Sequence, residues 1–137
     1  MNCILCAISS GQTPASLVYE DEYTLGVMSL DQPNPYKVLV LPRAHVESIY
    51  DLSDDQAGRI FQTAVKIARA IRAASGCDGL NVVQSNGAAG QQDVFHFHLH
   101  LVPRFHGDDI QISWAGSRLE RNELNSMAEE IRLKMGG

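Results

Sequence analysis

Basic residues are in short supply: 11 Lys and Arg stand against 16 Asp and Glu, for a formal net charge of -5. A surface with that balance does not attract duplex nucleic acid non-specifically, because counterion release needs a basic face. Long apolar runs are missing too. None approaches the ~20 residues of a membrane span. The opening Met-Asn-Cys-Ile-Leu-Cys has neither the basic start nor the apolar stretch of a signal peptide. A cytoplasmic protein is expected. Three cysteines are too few for a disulfide framework in that compartment, so Cys3 and Cys6 read first as a thiol or metal pair. Repeats, low-complexity tracts and linkers are absent as well. The 137 residues, 45% of them hydrophobic, suffice for one core and not two, so residues 1–137 are read as a single domain.

What is present follows a clear order. Leu17–Glu20 and Thr24–Leu30 have extended character on either side of the acidic turn Asp21-Glu22, which reads as a hairpin. Asp31-Gln-Pro-Asn-Pro35 breaks the chain, and Lys37–Leu41 reads as a buried strand ended by Pro42. Ser53-Asp-Asp-Gln56 has the form of a helix capping box. Beyond it Ala57, Ile60, Phe61, Ala64, Ile67, Ala68 and Ile71 recur at the spacing of one helical face until Ser75-Gly76. A strand from Leu80 to about Gln84, a polar loop from Ser85 to Asp93 and a strand from Val94 to Val102 closed by Pro103 come next. A last amphipathic helix carries Leu124, Met127, Ala128 and Ile131 on one side. The fold class is α+β: an antiparallel sheet with one face covered by helices.

The stretch that carries chemistry is Phe95-His-Phe-His-Leu-His-Leu-Val102. On a strand, Phe95, Phe97, Leu99 and Leu101 line one face, under the helices. His96, His98 and His100 line the other, each ~6.6 Å from the next. A plain solvent face draws Lys, Thr and Glu rather than histidine three times over. Imidazole binds metals or acts as nucleophile and acid–base. Three nearly collinear positions suit a tetrahedral ion poorly, which makes a lyase with zinc on the triad the lesser reading. His98, with a histidine on either side, best fits a nucleophile.

His96-Phe-His-Leu-His-Leu-Val102 resembles the signature of the histidine triad family. Cys3-x-x-Cys6, Leu39-Val-Leu-Pro-Arg-Ala-His45, Asn86-Gly87, a Gly-Gln stretch and Val102-Pro-Arg104 fall in that family's order. The resemblance implies a small nucleotide hydrolase or transferase that passes a nucleotidyl group through a covalent histidine intermediate. It also implies a five-stranded sheet joined to a second copy's in a ten-stranded homodimer. By position, His98 resembles the nucleophile and His100 the histidine that hydrogen-bonds the phosphate and leaving group. Asn86 and Gln92 stand where the family contacts phosphate through amides, which stabilise oxygens without adding charge. Some relatives close a structural zinc site with histidines at the places of His45 and His96. With Cys3 and Cys6 these complete a Cys2His2 set, while the plainer reading of the cysteines is a pair of small core residues.

Three departures matter. Pro35-Tyr36-Lys37 stands where many relatives have Pro-Gly-His, which brings Lys37 toward bound phosphates or leaves it pointing elsewhere. Gly90-Gln-Gln-Asp-Val94 is one residue longer than the family's Gly-Gln-x-Val; counting back from His96 favours Gln92, with Gln91 as the substitute. The ribose-gripping Asp of one branch falls on Ser29, with Asp31 two residues on. The expected substrate is a nucleoside phosphoramidate or a dinucleoside polyphosphate. The alternative is a nucleotide-binding regulatory module with little turnover. His106 reads as a surface histidine and Cys77 as structural; Trp114 is core, dimer contact or a lid over a base.

Overall fold

A carboxylate organises the first hairpin of the computed structural model, which describes residues 2–136. Asp21 Oδ1 accepts from the N–H groups of Tyr23 and Thr24 and from the Thr24 hydroxyl, while the Tyr19 hydroxyl donates to Oδ2. Burial pushes this carboxyl up, but the four hydrogen bonds outweigh it and hold the group at about 2. The turn joins β1 (Leu17–Glu20) to β2 (Thr24–Met28). With β3 (Val38–Pro42), β4 (Gly79–Val83) and β5 (Leu99–Arg104) they form a five-stranded sheet in the order β1-β2-β3-β5-β4, every pair antiparallel. The chain thus has the α+β architecture expected.

Each face of the sheet meets a different helix. One is short: α1 (Ile4–Ser9). The long one, α2 (Asp54–Ser75), begins at the Ser53–Gln56 capping box and ends at Gly76, whose φ of 67° is the left-handed stop that glycine adopts readily. From α2, Ile60, Ala64, Ile67 and Ile71 bury against Val38, Val40, Phe97, Leu99 and Leu101. Thr63 joins them and pairs with Thr24 through a 2.8 Å hydroxyl contact. At Gly26 the helix comes so close that a Cβ would run into Ile67 Cδ1. On the opposite face, Leu5 of α1 packs with Leu25, Val27 and Leu41. That second face, open beyond α1, presents the histidines.

The structure corrects four expectations. The strand read from Val94 to Val102 begins only at Leu99 and runs through Pro103 to Arg104. Pro103 is tolerated because β3 pairs with β5 no further than Leu101, so no ladder partner waits for its missing N–H. Residues 94–98 are irregular: the Phe97 N–H donates to Val46 O, outside the sheet. Strict alternation therefore fails, and Phe95 is 47% exposed where burial was expected, while His96 is wholly buried. Phe61 and Ala57 of α2 are exposed, displaced from the core stripe by Thr63. The last helix, α3 (Arg121–Met135), buries none of its side chains, so among the described residues α2 alone covers its face of the sheet.

Candidate active site

Helix α1 brings two thiols together. Cys3 caps it, its Sγ accepting from the Cys6 N–H, so the two sulfurs lie one turn apart. His45, just past β3, places Nδ1 3.3 Å from Cys6 Sγ. His96 places Nδ1 3.5 Å from both sulfurs, and all four ligand atoms lie within 4.8 Å of one another. Zinc bonds of about 2.0–2.3 Å in a tetrahedron separate neighbouring ligand atoms by about 3.3–3.8 Å, which these spacings approach. The protonation pattern fits as well. His96 Nε2 donates to Pro42 O at 2.8 Å, which leaves Nδ1 with a bare lone pair aimed at the sulfurs. Burial lowers the His96 pKa and raises that of the Cys6 thiol, with the neighbouring Cys3 raising Cys6 further. A bound cation would reverse the cost on the thiolates.

The same irregular segment orients the middle histidine. His98 Nδ1 donates to His96 O at 2.6 Å, so the other ring nitrogen, Nε2, carries the free lone pair. The ring is buried, and its neighbour His100 lies 4.8 Å away, ring centre to ring centre, in an edge-on arrangement. His100 sits on β5 opposite Leu39 of β3 and Val83 of β4. Burial pushes its pKa down to about 4, helped by the neighbouring His98 ring and the Lys37 charge and opposed by Asp93. At neutral pH it is an uncharged imidazole with one N–H to give.

Lys37 precedes β3 by one residue, on the same side as Leu39 and therefore as His100. Its backbone is clamped on both sides. The Gln32 side chain donates to Lys37 O at 2.8 Å and to Ser29 O at 2.7 Å, and accepts from the Lys37 N–H at 2.9 Å. Ser29, nearly buried, faces Lys37 across the strands and donates its N–H to Lys37 O. Asp31 is exposed in the same turn and makes no hydrogen bond among the described residues. Asn34 anchors the turn from below through Pro103 O and Asp108, and Arg104 grips Asp108 with two 2.8 Å bonds. The Arg104 guanidinium holds the Asp108 carboxyl well below the usual carboxylate range. The arginine of Val-Pro-Arg thus serves to brace the loop carrying Lys37.

Of the two expected phosphate amides, one is fully employed elsewhere and the other keeps a proton free. Gln92 is buried; its Oε1 accepts from the Gly87 N–H, and its Nε2 donates to Glu47 O and Val94 O. No amide proton is left for phosphate, and Gln92 instead locks the loop onto the segment after β3. Asn86 pairs with the Gln84 amide in both directions and accepts from the Ile49 N–H, which keeps one of its own protons free. Two non-glycine residues adopt left-handed backbone: Tyr36, with φ 75°, and Gln91, with φ 69°. Tyr36 stands where the family pattern has glycine, and so does Gln91 when the loop is counted from His96.

Sequence reasoning missed Gln32 and Asp93. Asp93 Oδ1 lies 3.9 Å from His98 Nε2. Its signal was available: a carboxylate three residues before the first triad histidine, at the end of a loop leading into the site. The remaining singled-out residues lie outside this cluster. Trp114 is 89% exposed, His106 is exposed with its N–H on Asp78, and Cys77 packs against the α2 core.

Comparison with known proteins agrees with this geometry. The HIT domain matches residues 10–107. "Protein hit" of Bacillus subtilis is 40% identical over 114 residues, which cover 82% of this chain and 79% of that protein. The adenosine 5'-monophosphoramidase hnt1 of Schizosaccharomyces pombe is 28% identical, with 98% of this chain and 99% of that one covered. A zinc-bound histidine triad protein from Mycobacterium smegmatis superposes with a TM-score of 0.77 at 34% identity, covering 95% of this chain and 98% of that one. The alternating histidines, the domain match and these relatives together place the chain in the HIT-domain family, the histidine triad proteins.

Proposed function

We propose that this protein is a nucleotide hydrolase or nucleotidyl transferase acting at the α-phosphorus of a nucleoside phosphoramidate or a dinucleoside polyphosphate. One observation carries the reading: the 2.6 Å bond from His98 Nδ1 to His96 O, which commits Nδ1 as the donor and, in the neutral ring, leaves the lone pair on a fixed Nε2. That is the requirement of a nucleophilic imidazole. Nε2 forms a bond to phosphorus while the bond to the leaving group breaks, the leaving group keeping the bonding pair and an amine taking its proton from solvent, giving a nucleotidyl-histidine that water then opens. Neutral His100 and the spare Asn86 proton donate to phosphoryl oxygens without bringing charge. Ser29 and Lys37 line the same face, the lysine beside the leaving-group phosphates. Relatives named as phosphoramidases agree with this class of substrate.

When bound, zinc closes Cys3, Cys6, His45 and His96 into a four-ligand structural centre with no open position. Those residues hold α1 and the segment before β5 together, and the His96 carbonyl in turn orients His98. The edge strand β4, with exposed Val82 and Val83, is the surface through which two sheets join into ten strands in a homodimer. Three free cysteines suit a cytoplasmic setting.

The test is a panel of adenosine and guanosine phosphoramidates and dinucleoside polyphosphates, with nucleotide release as the readout. Release that His98→Ala abolishes supports the reading. Binding without release would favour a regulatory module instead.

A further inference from the structure

The nucleotidyl-histidine must be opened by water, and opening it requires a group to take the water's proton. Most polar groups around His98 are occupied. Gln92 has spent both amide protons and its oxygen on the backbone. Amides such as Asn86 donate but do not act as bases. The thiols and imidazoles of Cys3, Cys6, His45 and His96 face one another. His100 gives its N–H to the phosphate in the reading above. A carboxylate remains. Asp93 ends the loop before the triad, with Oδ1 held by the Val94 N–H at 2.8 Å and lying 3.9 Å from His98 Nε2. The spacing is too long for a hydrogen bond, so the carboxylate does not hold the nucleophile's lone pair, yet it borders the point where the bond to phosphorus forms and breaks. Its side chain is 80% exposed, which gives water access and gives a captured proton a way out.

We propose that Asp93 is the catalytic base of the second half-reaction, taking the proton of the water that opens the nucleotidyl-histidine. The inference rests on the reading of His98 given above. The water oxygen forms its bond to phosphorus as the bond from phosphorus to Nε2 breaks. The bonding pair returns to the imidazole, the water proton passes to the Asp93 carboxylate and then to solvent, and the products are nucleoside monophosphate and free His98. Asp93 is assigned no part in expelling the leaving group. The charges of Lys37 and Asp93 both act on His100, so the lysine would oppose the repulsion between the carboxylate and the phosphoryl oxygens.

The experiment uses an adenosine phosphoramidate with an arylamine leaving group, followed by rapid mixing and by intact mass. In Asp93→Asn the first amine should still leave, as a burst of one equivalent per chain. Discharge of the adduct to water should slow about ten- to a hundredfold, the lower part of what general-base catalysis contributes, and the adenylylated protein should accumulate. Fluoride has no proton to lose, so it should discharge the adduct from wild type and variant alike. Asp93→Glu keeps a carboxylate and should recover part of the water rate. Equal discharge to water in wild type and Asp93→Asn overturns the proposal, and so does an equal slowing of water and fluoride, which would make Asp93 a positioning residue. A wild type that forms no adduct with any substrate of the panel overturns the reading of His98, and this inference with it.

Discussion

Removing the metal from the Cys3, Cys6, His45 and His96 cluster should cost stability more than activity. Each chain should carry about one zinc, since four converging ligand atoms complete a closed tetrahedral set. The size of the effect follows from what the site holds. Helix α1 has six residues, too few to stand alone, and it buries one side chain, Leu5. His96 is fully buried, and without an ion its Nδ1 faces the two cysteine sulfurs. Free zinc at about a thousand times its dissociation constant stabilises the folded state by about 4 kcal/mol. For a chain of this length that amounts to a fall in melting temperature of roughly 10–16 °C on chelation. Cys3→Ser should reproduce most of that fall and lose the metal. Activity at 25 °C should decline only as far as His96 O shifts and with it the bond to His98 Nδ1. The assay is elemental analysis paired with thermal unfolding, with and without chelator. A metal-free protein whose Cys3→Ser variant melts with wild type would refute the reasoning and return the cysteines to ordinary core packing.

Other outcomes are equally definite. Lys37→His should lower the preference for dinucleoside polyphosphate over phosphoramidate, mainly through the KM of the polyphosphate, and the loss should shrink as salt rises because a partly exposed charge is screened over about 8–10 Å; an unchanged ratio at low salt would make the lysine a bystander. His100 is held at about 4 against an ordinary 6.5, so the unfolded chain binds this proton first as pH falls. Its contribution to stability is therefore complete above 6.5 and lost between 6.5 and about 4, a slope in urea midpoints that His100→Gln should flatten. Tyr36 pays a left-handed backbone cost of about 1–2 kcal/mol that glycine avoids, so Tyr36→Gly should stabilise by about 0.5–1 kcal/mol net of glycine's greater chain entropy; a destabilised variant in denaturant melts would show that the tyrosine ring makes up the difference.

The sheet was legible because its strands are short apolar runs separated by Pro, Gly and acidic turns, and α2 because capping box, periodicity and Gly76 agree. Helix α1 was not: six residues are too few for a period to show, and its signal is the Cys3 cap rather than a stripe. The triad's chemistry was visible while its geometry was misjudged. Alternation suggested a regular strand, but the Phe97 N–H is taken by Val46 O and the His96 ring by Pro42 O, so the strand starts late. Gln92 shows a second limit. Whether a loop amide faces substrate or backbone is decided by Glu47, 45 residues away, and no local pattern contains that contact. The apolar face of α3 was read correctly as a pattern, but periodicity reports a face and not what covers it.

The central claim is that His98 Nε2 forms a bond to phosphorus. It is tested most directly by mixing the protein with an adenosine phosphoramidate, quenching in milliseconds and measuring the intact mass. The account predicts a transient mass increase of one adenylyl group per chain, mapped by fragmentation to His98 and absent from His98→Ala, which should fold normally and lose several orders of magnitude in turnover. A His98→Ala variant that keeps more than about a tenth of wild-type turnover, or an adduct mapped to another residue, would contradict it.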